Sequence, residues 1–208
     1  MDFASRDADE LHTGTTIMAV AYDGGVIMGA DSRVSTGTYV ANRVSDKVTA
    51  IHDKIFMCRS GSAADTQAVS DYVRHYLASH AIETGRPPLV KTAANLCKRI
   101  CYGNKEKLLA AVIVAGYDAV SGGTVWVIPL GGTCVQMPFA IGGSGSTYIY
   151  GHVDAQFKPG MSKEECKAFV TEAVGRAMAR DGSSGGIIRI VDICADGVTR
   201  DYLTANTV

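Results

Sequence analysis

Apolar residues recur along the chain in two rhythms, and their order predicts the architecture. Thr15–Tyr22 and Val26–Ser32 are apolar on successive residues and are separated by Asp23-Gly24-Gly25. Such runs predict a hairpin of strands covered on both faces. Lys47–His52 and Ile55–Ser60, joined by Asp53-Lys54, predict a second hairpin. Helical spacing follows in Val69, Tyr72, Val73, Tyr76 and Leu77, and again in Ala93, Leu96, Cys97, Ile100 and Cys101. Pro87-Pro88 punctuates the gap between those two helices. Leu109–Tyr117, Thr124–Pro129 and Val135–Ile141 predict three strands divided by Gly-rich turns. A helix over Ser146–Phe157 places Ile149, Val153 and Phe157 on one face. Another helix follows Pro159-Gly160 and opens with the capping box Ser162-x-x-Glu165. Ile187–Cys194 and Val198–Leu203 close the pattern as strands around Asp196-Gly197.

The order is strands, two helices, strands, two helices, strands. Adjacent hairpins favour antiparallel pairing, and two helix pairs can cover two sheets. The expected fold is α+β, a four-layer α-β-β-α sandwich of two mainly antiparallel sheets, because the alternation of a doubly wound fold is missing. A chain of 208 residues with 47% hydrophobic and 20% charged residues is read as one globular domain. The mean hydropathy of +0.10 suggests apolar surface covered by neighbouring subunits or sheets buried on both faces.

A formal net charge of -1 predicts no nucleic-acid and no membrane-surface partner. The six cysteines lack a CxxC pair or a framework spacing, which fits reduced thiols in the cytoplasm or nucleus. Residues 1–14 are polar and acidic without an apolar core segment, so they do not read as a signal peptide. No apolar run approaches the roughly 20 residues needed to span a bilayer.

Two motifs fail in context. Gly182-Ser183-Ser184-Gly185-Gly186 matches the nucleophile elbow of serine hydrolases, but a helix precedes it and a strand follows, the reverse of what that elbow requires. No histidine lies beyond His152 to complete such a triad. Gly142-Gly143-Ser144-Gly145-Ser146-Thr147 opens a helix but lacks the Gly-Lys-[Ser/Thr] ending of a phosphate loop. The five histidines contain no HExxH, and neither a catalytic metal nor a cofactor is expected.

The junction Gly14-Thr15-Thr16 carries different chemistry. A cut after Gly14 would give Thr15 a hydroxyl and a free α-amine, a nucleophile and a base on one residue. With that junction, Gly29-Ala30-Asp31-Ser32-Arg33, Lys47 and Ser60-Gly61-Ser62-Ala63-Ala64-Asp65 occur in order. Ile141-Gly142-Gly143-Ser144-Gly145 and Arg180-Asp181-Gly182-Ser183-Ser184-Gly185-Gly186 complete the set. Together these stretches resemble the catalytic β subunits of the 20S proteasome, members of the N-terminal-nucleophile hydrolases. The resemblance runs from Thr15 to about Leu203. Thr15–Asp31, Asn42-Arg43 and Cys58-Arg59-Ser60-Gly61 look most like the β1, caspase-like branch.

The resemblance implies a threonine-type endopeptidase that cleaves after acidic residues, with residues 1–14 as a propeptide removed autocatalytically and 15–208 as the peptidase domain. It implies that Thr15 attacks the scissile carbonyl, that Lys47 stands beside it as a buried cation, and that Asp31 pairs with Lys47. The Gly61 N–H would stabilise the oxyanion, and Ser144, Asp181 and Ser184 would hold the amine and its water. Arg59 would line the pocket for the substrate side chain before the cut, with Val34, Ser45, Thr49, Ala63 and Gln67 completing the wall. Gly14, without a Cβ, would permit the turn that lets Thr15 cut its own preceding bond. The implied partners are other α and β subunits in a stack of four heptameric rings, regulatory caps and unfolded polypeptide substrates. Taken singly, each residue has an ordinary alternative. Lys47 with Asp31 or Asp46 could be a surface ion pair, Asp181 a helix-end turn residue, Gly61 a turn before a helix capped by Ser62, and Arg59 a surface arginine. A non-catalytic ring subunit of the same fold is the alternative for the whole chain.

Overall fold

The computed structural model describes residues 14–204, so the predicted leader over residues 1–13 and the last residues, 205–208, lie outside the described residues. Strand β1 (Ile17–Tyr22) and strand β2 (Gly25–Ala30) form the first hairpin, and their residues are buried almost throughout. Two-sided burial follows from their position. They are central in a five-stranded sheet, which also holds β10 (Phe139–Gly142), β11 (Ile187–Cys194) and β12 (Gly197–Thr204), in the order β10-β1-β2-β11-β12. The second five-stranded sheet runs in chain order through β5 (Val48–His52), β6 (Ile55–Gly61), β7 (Ala110–Asp118), β8 (Gly122–Ile128) and β9 (Val135–Met137). The pairings within both sheets are antiparallel.

Three apolar cores bind two helix layers and two sheets. Ile17, Ala19, Met28, Cys58, Ile113 and Ala115 meet between the two sheets. Met18, Val20 and Ile27 point the other way, onto α4 (Lys163–Arg180) through Phe169, Val170, Ala173, Val174 and Ala177. The short helix α3 (Tyr150–Gln156) joins that layer through Val153. On the far side, α1 (Ala63–Thr84) and α2 (Val90–Gly103) cover the second sheet, with Val69, Val73, Leu77, Ala93 and Cys97 against Met57, Val112 and Val114. Alternation of side chains along each strand sends successive residues into different layers. The expected α-β-β-α sandwich is the observed one.

The helix boundaries follow local chemistry. Ser62 caps α1 by accepting the Asp65 N–H at 3.3 Å, and Gly85 ends the helix in the left-handed conformation at φ 64°. The capping box of α4 is complete: Glu165 N–H donates to Ser162 Oγ at 3.3 Å, and Ser162 N–H donates to Glu165 Oε2 at 2.9 Å.

Three sequence expectations need correction. The strand expected over Val135–Ile141 is two strands in different sheets: Val135–Met137 pairs with β8 and Phe139–Gly142 with β1. The switch falls at Pro138, which has no N–H to continue a ladder. The helix expected over Ser146–Phe157 is a 3₁₀ turn over Ser144–Tyr148 followed by α3. Its early start arises because the Gly145 N–H turns inward to donate to the Thr15 carbonyl at 3.1 Å. A further hairpin, β3 (Val34–Thr36) with β4 (Tyr39–Asn42), has no counterpart in the expectation. Its strands are short and largely exposed, so no sustained hydrophobic alternation announces it.

Candidate active site

Thr15 stands at the head of β1, only 4% exposed, where the hairpin, the β10 loop and the loop after α4 converge. Thr15 Oγ1 donates to the Gly14 carbonyl oxygen at 2.7 Å, and Lys47 Nζ donates to the same oxygen at 3.1 Å. The Thr15 N–H donates to Ser144 Oγ at 3.1 Å. Gly14 is packed so closely that a Cβ there would lie 2.0 Å from the Ser183 Cβ. Likewise a Cβ on Gly143, which has φ 84°, would lie 2.1 Å from the Thr15 carbonyl oxygen. The two Gly/Ser-rich loops that fail as other motifs are the walls around Thr15.

Lys47 and Asp31 form a buried ion pair at 2.6 Å, with side chains 6% and 0% exposed. Asp31 sits just past the end of β2, opposite Thr16, and its carboxylate is saturated. Oδ1 accepts from Lys47 and from the Thr16 N–H at 2.8 Å, while Oδ2 accepts from the Gly185 N–H at 3.0 Å and the Arg33 N–H at 3.2 Å. With four donors on its two oxygens, this carboxylate compensates the buried lysine. Burial nonetheless draws the Lys47 ammonium below its ordinary range, against the opposing pull of Asp31 and Asp181. The surface-pair alternative for Lys47 is excluded by its burial.

A second network holds the other side of Thr15. Asp181 ends α4, and its Oδ2 accepts from Ser144 Oγ at 2.7 Å and Ser184 Oγ at 2.6 Å. Its Oδ1 accepts the Ser183 N–H at 3.0 Å. Burial alone would push the Asp181 carboxyl upward. The bonds from Ser184, Ser144 and the Ser183 N–H, with the Lys47 charge, outweigh burial and hold it below the ordinary value. Ser144 thus links Thr15 N–H to Asp181 in a chain of two hydrogen bonds.

Gly61 ends β6 at φ 104°, immediately before the Ser62 cap of α1, and a Cβ there would lie 2.4 Å from the Leu109 carbonyl oxygen. Arg59 lies on the same face of β6 two residues earlier, half-buried. Its Nη2 donates to the Asp46 carbonyl at 3.0 Å, whereas its buried Nε has no hydrogen-bond partner among the described residues. Burial lowers its guanidinium from the usual value, partly offset by Asp46 and Asp71. Thr49 pairs with Met57 on that face, and Ala63 and Gln67 occupy successive turns at the exposed start of α1. Val34 and Ser45 are half-buried on the segments leading from Asp31 to Lys47. Cavities of about 520 and 1060 Å³ lie around α1, α2 and the loop joining them, and neither is lined by these residues.

Thr16 and Arg33 stand within the motifs read from the sequence, which gave neither a role. Thr16 Oγ1 shares a hydrogen bond with Ser184 Oγ at 2.8 Å, and Arg33 Nη1 donates to the Gly182 carbonyl at 2.9 Å. Both adjoin singled-out residues, but only the folded chain brings positions 16 and 184 together. Among the described residues, no group of three His, Cys, Asp or Glu side chains could hold a metal ion, and no helix is long and apolar enough to cross a membrane.

Two stacked antiparallel sheets between helix pairs, with a threonine at the head of a central strand beside a buried lysine, define an N-terminal-nucleophile-hydrolase sandwich. The family model for proteasome subunits matches residues 11–193. The chain is 60% identical to proteasome subunit beta type-6 of Dictyostelium discoideum, covering 93% of this chain and 90% of that one. It is 56% identical to the beta type-6 subunit of Arabidopsis thaliana, covering 91% and 81%. To the human beta type-9 subunit it is 55% identical, covering 96% and 90%. The chain belongs to the proteasome subunit family, in the beta type-6 and type-9 group. It is a β1-type threonine endopeptidase subunit with caspase-like activity, and it assembles with other proteasome subunits.

Proposed function

We propose that Thr15 is the nucleophile of this endopeptidase and that it is latent until the bond to Gly14 is cut. The observation that carries this is the convergence of Thr15 Oγ1, at 2.7 Å, and Lys47 Nζ, at 3.1 Å, on the Gly14 carbonyl. Residues 1–14 then act as a propeptide and residues 15–208 as the peptidase domain. In self-cleavage Oγ1 attacks the Gly14 carbonyl carbon while Lys47 polarises its oxygen. The C–N bond breaks as the Thr15 nitrogen takes a proton, and an ester to Oγ1 replaces the amide. Water hydrolyses that ester, releasing the Gly14 carboxylate and a free Thr15 amine.

In the mature site the amine, with an ordinary pKa of about 7.7–8.0, accepts the hydroxyl proton as Oγ1 attacks a substrate carbonyl. The Gly61 N–H stabilises the oxyanion, a role worth roughly 10²–10³ in rate elsewhere. The proton passes to the leaving amine, the peptide bond breaks, and water hydrolyses the acyl ester. Ser144, Ser184 and Asp181 hold the amine and its water, while Lys47, charge-balanced by Asp31, favours the deprotonated hydroxyl and amine.

Arg59 gives the pocket its preference for Asp or Glu before the cut through charge-assisted bonds, with Val34, Ser45, Thr49, Ala63 and Gln67 as the wall. A half-buried guanidinium that donates to a neutral carbonyl, that of Asp46, supports that reading, because its charge is left for a substrate carboxylate to balance. The subunit works in a stack of four heptameric rings on unfolded polypeptides admitted by regulatory caps, in cytoplasm and nucleus, with no nucleic-acid or membrane partner. A non-catalytic ring member is disfavoured because junction glycine, threonine and lysine are all present and in contact. An epoxyketone inhibitor should form an adduct on Thr15 in assembled particles. An unmodified Thr15, with label on neighbouring subunits alone, would sink the proposal.

A further inference from the structure

The segment Val44–Val48 carries Ser45 of the pocket wall and Lys47 of the site, and two arginines from the other sheet clamp it. From β11, Arg189 donates to the Ser45 carbonyl at 3.0 Å and to the Val44 carbonyl at 2.6 Å. From β12, Arg200 donates through Nη1 to Asp46 Oδ2 at 2.8 Å and through Nη2 to the Val48 carbonyl at 3.3 Å. Its guanidinium also lies over the Phe56 ring at 5.2 Å. Asp46 is the residue whose backbone carbonyl holds Arg59, at 3.0 Å.

One residue therefore presents two acceptors to two arginines. The carbonyl of Asp46 serves Arg59, and the carboxylate is turned away. Its Oδ1 accepts the Val48 N–H at 2.9 Å and its Oδ2 is taken by Arg200. The division matters because Arg59 has a buried Nε without a partner. The Asp46 carboxylate belongs to the residue whose carbonyl already holds Arg59, and its charge is felt at that guanidinium, so it is a competitor for any acid that the pocket must bind. An internal carboxylate needs no association entropy, so it would outcompete a substrate side chain unless held elsewhere.

We propose that Arg200 is a positioning residue for acidic specificity: it sequesters the Asp46 carboxylate, so that Arg59 meets the substrate acid uncompensated. Arg200 touches no substrate. It acts by occupying Oδ2 and by balancing the Asp46 charge, and it rests on the reading of Arg59 as the pocket cation.

The test uses assembled particles carrying Arg200→Met, Asp46→Asn, the double variant and Arg59→Met, each confirmed by N-terminal sequencing to begin at Thr15. Cleavage of fluorogenic peptides with Glu or Leu before the scissile bond gives kcat and KM separately. Arg200→Met should raise KM for the Glu peptide about threefold to fivefold, the scale of a half-exposed charge interaction, with kcat little changed. The double variant should recover most of that loss, because the competing carboxylate is gone. A structural role for Arg200 alone predicts no recovery, and that result overturns the proposal. If Arg59→Met leaves the Glu preference intact, the reading of Arg59 itself fails. If Arg59→Met abolishes it while Arg200→Met changes nothing, only the role of Arg200 falls.

Discussion

The ammonium of Lys47 donates to the carbonyl oxygen of Gly14 at 3.1 Å, so the buried cation of the site already addresses the bond preceding Thr15. Its other partner, Asp31 at 2.6 Å, is tied to the backbone of Thr16, Arg33 and Gly185. One lysine thus contacts the leader and the scaffold simultaneously. Processing and peptide hydrolysis should share it.

Replacing Lys47 by Ala should abolish both. The precursor should keep its leader, and the stranded Asp31 carboxylate, 0% exposed, should cost roughly 3–5 kcal/mol as an uncompensated buried charge. Mass spectrometry of the chain and denaturant unfolding of the purified precursor check the two effects. A Lys47→Ala chain that begins at Thr15 and keeps its stability would contradict the geometry.

Gly14→Ala tests the fit of the junction. The added Cβ would meet the Ser183 Cβ at 2.0 Å and the Ser183 carbonyl oxygen at 2.2 Å, so the peptide must shift away from Oγ1 and Lys47. The rate of leader removal, followed by gel mobility after expression, should fall by at least about tenfold, since misplacement of about 1 Å costs on the order of 10²-fold. Thr15→Ala should leave the leader attached altogether. Normal trimming in that variant would assign the cut to another protease.

The pH response of the amine should depend on Asp181. Ser144 joins the two, and a nearby carboxylate favours the protonated amine. Asp181→Asn should therefore shift the acid limb of kcat/KM to lower pH while lowering the plateau. The sign for stability is opposite in origin. Because its folded pKa is depressed, ionised Asp181 stabilises the fold above its unfolded pKa, and that stabilisation is lost as pH falls through the folded value. The variant should be less stable than the parent at neutral pH, and the gap should close in strong acid. A pH–rate profile and thermal melts across pH measure both.

Arg59→Met should move cleavage from acidic toward apolar peptides by roughly tenfold or more, the scale of one charge-assisted hydrogen bond. The ratio of rates on Glu and Leu peptides measures it. An unchanged ratio would remove Arg59 from the pocket.

Much of the fold is written in local pattern. Successive apolar residues in β1 and β2 announced two-sided burial, and Ser162 with Glu165 announced the start of α4, because these signals act within a turn or a strand. Pro138 carries its own signal for a break, yet the mainly apolar stretch Val135–Ile141 reads as continuous, and its two ends pair with different sheets. The β3–β4 hairpin had no such pattern, its strands being short and largely exposed.

By itself the sequence determined the alternation of strand and helix blocks, the sandwich, the Gly-Thr junction and the residue types around it, since composition, periodicity and motif order are properties of neighbours in the chain. Only the tertiary structure decided who meets whom. Thr15 reaches Ser144 across 129 positions, Thr16 reaches Ser184 across 168, and Arg200 reaches Asp46 across 154. Hydrogen bonds and charge compensation act over about 3 Å, and no local rule states which distant residues a sheet register brings that close.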